Sequence, residues 1–539
     1  MLKKSLRYLF AVLFITLVNL DLNAQEHQER FDQIDLQHYT FDIRLSDKTD
    51  KIEVIADVKI RFKQRISGFI LDLVKKRGNG KGMSILSVFE NSNPIQFEHD
   101  GDQISFQIPT TNIGEVRVYQ IKYEGVPADG LIISKNKHGD RTFFGDNWPD
   151  RAKNWLPTVD HPSDKSTVEW IITAPSHYQS IGNGIKVEDT NISEELTVTR
   201  WKTEVPIPTK VMVIGAARFA VEYQGEIDGV SVSSWVYPQD RDEGFYDYSY
   251  ASPIMDYFLG HVGPYPFQKL ANVQSKTRFG GMENAGNIFY SENSIDGKGT
   301  AEALVAHEVA HQWFGNSASE LNWHHIWLSE GFATYFTNLY IENKYGRNQF
   351  VERLTQERNR VIAYSKENLV PIVNTEVTDY MKLLNANSYQ KGGWVLHMLR
   401  KELGDRIFWK GIRKYYDTYK LSNALSEDLR TVMESVSGKD LNQFFNQWLY
   451  KPGQPSLDVS WSSSSKELEL DISQTQNSVS FIFPLEVEVE YTDGTRTIQV
   501  INVSKKEQKF TLPISASVKA VEIDPNTWLL YELVSLKKR

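Results

Sequence analysis

At 539 residues the chain is longer than one hydrophobic core usually organises, so two to four domains are expected. Hydrophobic residues at 40% and charged residues at 24% are the proportions of a folded soluble protein and exclude a disordered chain. A net charge of -9 with no basic stripe speaks against nucleic acid as a partner, and the lack of any cysteine excludes disulfides and thiolate metal sites.

The chain opens with Lys3, Lys4 and Arg7, then the apolar run "LFAVLFITLVNL", then "DLNAQ". A positive region, a short greasy stretch and a small-residue exit predict a signal peptide over residues 1–24, cut near Ala24. The run is shorter than the ~20 residues of a spanning helix, and no cysteine follows it to take a lipid. The expectation is therefore an exported protein, periplasmic or secreted, with no stable membrane anchor once the peptide is removed. Residues 37 to about 225 read as β-rich. In "KIEVIADVKIRF", Ile52, Val54, Ala56, Val58, Ile60 and Phe62 share one face, the period-2 mark of a half-buried strand. "EVRVYQIKYEG" and "ELTVTRWKTEV" continue in that style, and an antiparallel sheet domain is expected. From about 240 the pattern turns helical. Helices are predicted over 301–316 and 328–345, and "KGGWVLHMLRKELG" is a further one that stops at Gly404. "KPGQPS", 451–456, is a Pro/Gly break. Beyond it Leu468, Leu470 and Ile472 mark one strand, and Leu485, Val487, Val489 and Tyr491 another that enters a turn at "TDGT", as in a small β-sandwich. The fold class predicted is multidomain α+β: an N-terminal antiparallel β domain, a mainly helical centre and a C-terminal β-sandwich.

Four short motifs carry candidate chemistry. "FGGMENAGNIFY" holds Phe279, Gly280, Gly281, Met282, Glu283 and Asn284; its glycines permit close backbone approach, and Glu283 offers a carboxylate on an extended segment. The plain alternative is a glycine bulge with a surface acid. In "HEVAHQWFGN", His307 and His311 stand one helical turn apart, so two imidazoles can close on one ion with Glu308 beside them. A catalytic metal needs a third protein ligand. Glu330 in "WLSEGFATYF" follows His311 after 18 intervening residues, near the start of the next helix. His324 and His325 lie in the connection and lack the one-face relation to His307, so they read as surface or supporting residues. "NSYQKGGW" places Tyr389 just before a helix, where a phenol can point into a cleft.

The order and spacing of "GGMEN", "HEVAHQWFGN", "WLSEGFA" and "YQKG" resemble the aminopeptidase N and leukotriene hydrolase family of zinc metallopeptidases, over much of 140–455. The resemblance implies a saddle-like N-terminal domain over 25–230, a thermolysin-like catalytic domain over 231–450 and the sandwich over 455–539. It also implies one Zn²⁺ per chain on His307, His311 and Glu330. Glu308 then takes the proton of the attacking water and Tyr389 donates to the oxyanion. Glu283 binds the free α-ammonium of a peptide, with Phe279, Gly280, Gly281, Met282 and Asn284 lining the substrate. Two features depart from the family pattern. The N-terminal domain's second amine contact has no clear match in "FGDNWPDRAKNWLP"; Asn147, next to Asp146 and Trp148, is the nearest candidate. The chain also ends after the sandwich, without the large helical domain of many relatives, and a more open cleft is expected. The activity implied is that of an aminopeptidase. An epoxide hydrolase of the leukotriene hydrolase kind, an endopeptidase and a peptide-binding relative without turnover stay open. "GGMEN" speaks against the endopeptidase, and the presence of Glu308 and Tyr389 against mere binding.

Overall fold

The computed structural model describes residues 29–539; the expected signal peptide lies outside them. The described chain forms two compact units. One takes the residues up to Tyr246 together with Phe267–Lys298, the other Asp247–Pro266 together with Gly299–Arg539.

The first unit is built of sheets. Along Ile52–Phe62 every apolar residue of the predicted face is buried and the alternate residues are more exposed. This strand pairs antiparallel with Ile34–Arg44 on one side and Val116–Val126 on the other. The sheet continues through Lys165–Pro175, but that strand runs parallel to Ile34–Arg44, from His38 opposite Thr167 to Arg44 opposite Thr173. The wholly antiparallel expectation is corrected here. Alternation marks which face is buried but carries no strand direction, and a long crossover between the two strands permits the parallel pair. A second sheet, in the order Gln179–Gly182, Ile214–Ala217, Arg141–Gly145 and Leu131–Lys135, is antiparallel throughout.

A third sheet extends past the expected domain edge at 230/231. Val230–Val236 pairs in parallel with Lys269–Ser275, which pairs in parallel with Asn287–Ser291. All seven residues of Lys269–Ser275 are buried, the mark of a parallel strand covered on both faces. That burial is why 267–298 returns to the first unit. Gly281–Met282 closes the sheet as a two-residue edge strand against Phe289–Tyr290.

The second unit is helical, then β. We label five of its helices α1 (Ala251–His261), α2 (Glu302–Ala310), α3 (Trp327–Tyr345), α4 (Arg347–Glu367) and α5 (Gly392–Leu403). Every residue of α3 from Trp327 to Ile341 is buried, so the helix has no solvent face over that length, and α2, α4 and α5 pack round it. Gly346 and Gly404 follow α3 and α5 with φ of +85° and +77°, the left-handed geometry expected of the glycine at 404. The sandwich has one sheet ordered Glu507–Pro513, Glu467–Gln474, Ser456–Ser463, Glu532–Lys538 and another ordered Arg496–Val503, Phe483–Tyr491, Val518–Ile523. The seven apolar positions predicted for its two marked strands are all buried. Among the described residues, no helix is long and apolar enough to cross a membrane.

Candidate metal centre

The helix predicted over 301–316 stops at Ala310. His311 is its C-cap, still in the right-handed helical region, and its N–H reaches the His307 carbonyl at 3.2 Å. One helical turn therefore survives where it is needed. The rings of His307 and His311 stand edge to face, 4.7 Å between centroids. Glu330 lies in the first turn of α3. Its Oε2 is 3.3 Å from His307 Nε2 and 3.2 Å from His311 Nε2, and the two nitrogens are 3.1 Å apart. A tetrahedral ion with ligands at 2.0–2.1 Å has donor atoms about 3.3 Å apart, so three corners of such a site are in place. Two imidazoles and a carboxylate suit a borderline divalent ion, and these three residues are placed to hold one.

The surroundings fix the His311 donor. His311 Nδ1 donates to the Phe314 carbonyl at 3.1 Å, with Ser329 Oγ at 3.0 Å, so its proton sits on Nδ1 and the Nε2 lone pair faces the carboxylate. Gly315 shapes the chain around this bond. Its φ is +116°, and a Cβ there would lie 2.1 Å from Ser329 Oγ and 3.1 Å from His311 Nδ1. That turn also ends α2. Burial alone would raise the Glu330 carboxyl, but positive charge on the His311 and His307 side outweighs it and holds the group well below the usual carboxylate range, so this pocket favours a cation between the three groups.

Glu308 is buried, with a carboxylate oxygen within 4.8 Å of a His311 ring nitrogen. Tyr389 sits in a single π turn, Asn387–Lys391, that leads into α5. Its ring stacks on that of His307, centroids 5.9 Å apart and planes 13° apart. His307, Glu308, His311, Glu330 and Tyr389 are thus gathered in one unit. His324 and His325 are turned elsewhere: His324 Nε2 lies 3.0 Å from the Val377 carbonyl and the buried His325 has Nδ1 2.8 Å from Ser426 Oγ.

The remaining candidates belong to the first unit. Ser291 N–H donates to the Gly280 carbonyl at 2.9 Å, securing the edge strand. Glu283 is 5% exposed and Asn284 fully buried, so Glu283 is no surface acid. The turn after them is clamped by its backbone: Asn183 Nδ2 donates to the Ala285 carbonyl at 2.9 Å and Lys269 Nζ to the Gly286 carbonyl at 3.3 Å. Phe279 stands edge-on to Trp148, centroids 6.0 Å apart. Asn147 is fully buried; its Nδ2 donates to the Met212 and Thr209 carbonyls at 2.6 and 3.2 Å, and its Oδ1 accepts from Trp155 Nε1 at 2.8 Å. Its amide is engaged inside the unit by all three bonds, which speaks against it as an amine contact.

Residues 36–211 match the peptidase M1 N-terminal domain, and residues 247–448 match the peptidase family M1 domain. The chain belongs to peptidase family M1. Among curated relatives, it is 26% identical over 401 residues to a probable aminopeptidase 2 of Sulfurisphaera tokodaii, covering 71% of this chain and 50% of that protein. It is 26% identical to aminopeptidase M1 of Arabidopsis thaliana, over 68% of this chain and 44% of the relative. Human glutamyl aminopeptidase is also 26% identical, over 58% and 34% respectively. The chain thus spans half or less of the length of these M1 relatives.

Within this M1 chain the motifs contain residues whose part is visible only in three dimensions. Gly315 ends "HEVAHQWFG" and Ser329 precedes Glu330, and both shape the surroundings of His311. A glycine inside the helix predicted over 301–316 was the available signal for the first; the serine had none.

Proposed function

We propose that this chain is a zinc aminopeptidase that hydrolyses the first peptide bond of peptides with a free N-terminus. The observation that carries it is the convergence of His307, His311 and Glu330 donor atoms at 3.1–3.3 Å, with Glu308 and Tyr389 beside them. Zinc held there would supply Lewis acidity, polarising the scissile carbonyl and making water a better acid.

The residues then divide the reaction. Glu308 accepts the proton of the attacking water and passes it to the leaving amine, which restores the carboxylate. The Tyr389 O–H donates to the oxygen that gains charge as the carbonyl carbon becomes tetrahedral, a contribution on the order of 3 kcal/mol for one good donor. Glu283 pairs with the α-ammonium, so an acylated terminus would leave a buried carboxylate facing no cation. Support for that role comes from the "GGMEN" resemblance and from the clamped turn that fixes Glu283. With residues 1–24 as a signal peptide, the enzyme acts after export.

The test uses fluorogenic aminoacyl amides and their N-acetylated counterparts. Cleavage of the free-amine compounds alone is expected. Equal cleavage of both would refute the amine anchor and indicate an endopeptidase, and cleavage of neither by the zinc-loaded protein would indicate a binding role.

A further inference from the structure

Lys391 is 1% exposed and pairs with no carboxylate among the described residues. Its Nζ donates to the carbonyl of Gly453, 62 positions along, at 2.8 Å. Burial depresses the affinity of this ammonium for its proton, to a pKa of about 7. A buried amine without a counter-ion is a cost a stable fold does not require. Its place in the chain suggests what it does: it is the last residue of the π turn, two positions after Tyr389.

A π turn accommodates one residue more than the α-helix around it, and such turns tend to survive only where the surroundings hold them. Here Lys391 N–H bonds to the Ala386 carbonyl, five residues back, at 2.9 Å. If the turn relaxed into α register, Tyr389 would rotate by about 100° about the helix axis, the angle of one residue. Two contacts oppose that. On one side Gly392 presses on α3, where a Cβ on Gly331 would meet Gly392 Cα and C at 2.9 Å. Gly331 follows the ligand Glu330, so the turn is gauged against the metal site by backbone on backbone. On the other side Lys391 reaches Gly453, buried in the break at 451–456 that precedes the sandwich. Asn387 adds a bond from Nδ2 to the Val370 carbonyl at 2.9 Å.

We propose that Lys391 is a positioning residue for the Tyr389 phenol, and that its bond to Gly453 makes the 451–456 segment a structural part of the catalytic site. The proposal rests on the oxyanion role of Tyr389. The experiment compares Lys391→Met, Tyr389→Phe and the double variant on an aminoacyl amide, with bound zinc measured for each. Tyr389→Phe is expected to lower kcat by about 10²-fold or more. Lys391→Met is expected to lower kcat at least about tenfold with KM within about twofold and zinc at one per chain, and to add less than about twofold in the Tyr389→Phe background. Should Lys391→Met not fold, Lys391→Gln, which is too short to span to Gly453, carries the same comparisons. An unchanged kcat in Tyr389→Phe overturns the phenol's role and this proposal with it. A strong Tyr389→Phe effect overturns only the Lys391 assignment if the Lys391 loss multiplies fully in both backgrounds, appears as raised KM, or is absent.

Discussion

His397 should make the helical core acid-sensitive by a calculable amount. The ring lies fully buried on α5, with Nε2 donating to the Thr527 carbonyl at 2.8 Å and Nδ1 facing the Tyr335 hydroxyl at 3.0 Å. It stacks on Trp528 with centroids 4.7 Å apart. Burial opposes its protonation most; the Thr527 carbonyl works the other way, and Arg347 and Arg400 add repulsion, leaving a pKa lowered to about 3. The unfolded ring titrates near its ordinary value of about 6.5. On acidification the unfolded state takes up a proton that the folded state refuses. The stabilisation from the neutral ring is thus full above about pH 7 and is lost as pH falls from there towards 3. Between pH 7.5 and pH 5.0 the loss is about 1.5 pKa units, or roughly 2 kcal/mol. Glu357, raised to about 7, and Asp524, raised to about 6, titrate in the opposite sense, so the wild-type profile mixes signs. His397→Gln keeps one donor and one acceptor and removes the imidazole's titration; the lost stacking on Trp528 is independent of pH and cancels when the two pH values are compared. Amide hydrogen exchange along α5, corrected for intrinsic rates, gives the opening free energy at both pH values. The wild type is expected to lose about 2 kcal/mol more than the variant. Identical pH dependence in the two proteins would refute the linkage.

Glu308→Gln is expected to keep its zinc and lose about 10²–10⁴-fold in kcat, as read by metal analysis and single-turnover kinetics. Glu283→Ala should cut kcat/KM on aminoacyl amides by at least about 30-fold, the cost of removing one partner of a buried charge pair; unchanged kinetics would discard the amine anchor. A chelator should abolish activity and lower the melting temperature, and added Zn²⁺ should restore both. Gly315→Ala, which strains a φ of +116° and crowds Ser329 against His311, should weaken zinc about 10–100-fold in a competition titration, with little change in the sandwich's exchange protection.

Much of this was readable from residue order because the information was local. Ile52 to Phe62 declared their buried face by period two, and Leu485 to Tyr491 did likewise in the sandwich. The candidate metal ligands were legible because one helical turn and one short connection bring them together. Partners far apart in the chain were not. Strand direction between Ile34–Arg44 and Lys165–Pro175 depends on a crossover that alternation does not encode. The return of 267–298 to the first unit depends on pairing with Val230–Val236. Asn147 has the polarity of an amine ligand, and only its three bonds to Met212, Thr209 and Trp155 reveal a different use. The π turn at Asn387–Lys391 is likewise hidden, since no residue type announces an extra residue in a helix.

The enclosure of α3 bears on how the protein meets its ion. A carboxylate carried on a rod with no wet side has little room to change rotamer, and the His311 imidazole opposite is held by Phe314 and Ser329 before any metal arrives. Conformational freedom at this locus is surrendered during folding, not during loading. On the proposed reading, uptake would resemble filling a mould, and discrimination among competing ions would fall to size and angular fit instead of to the adaptability of the groups that grip them.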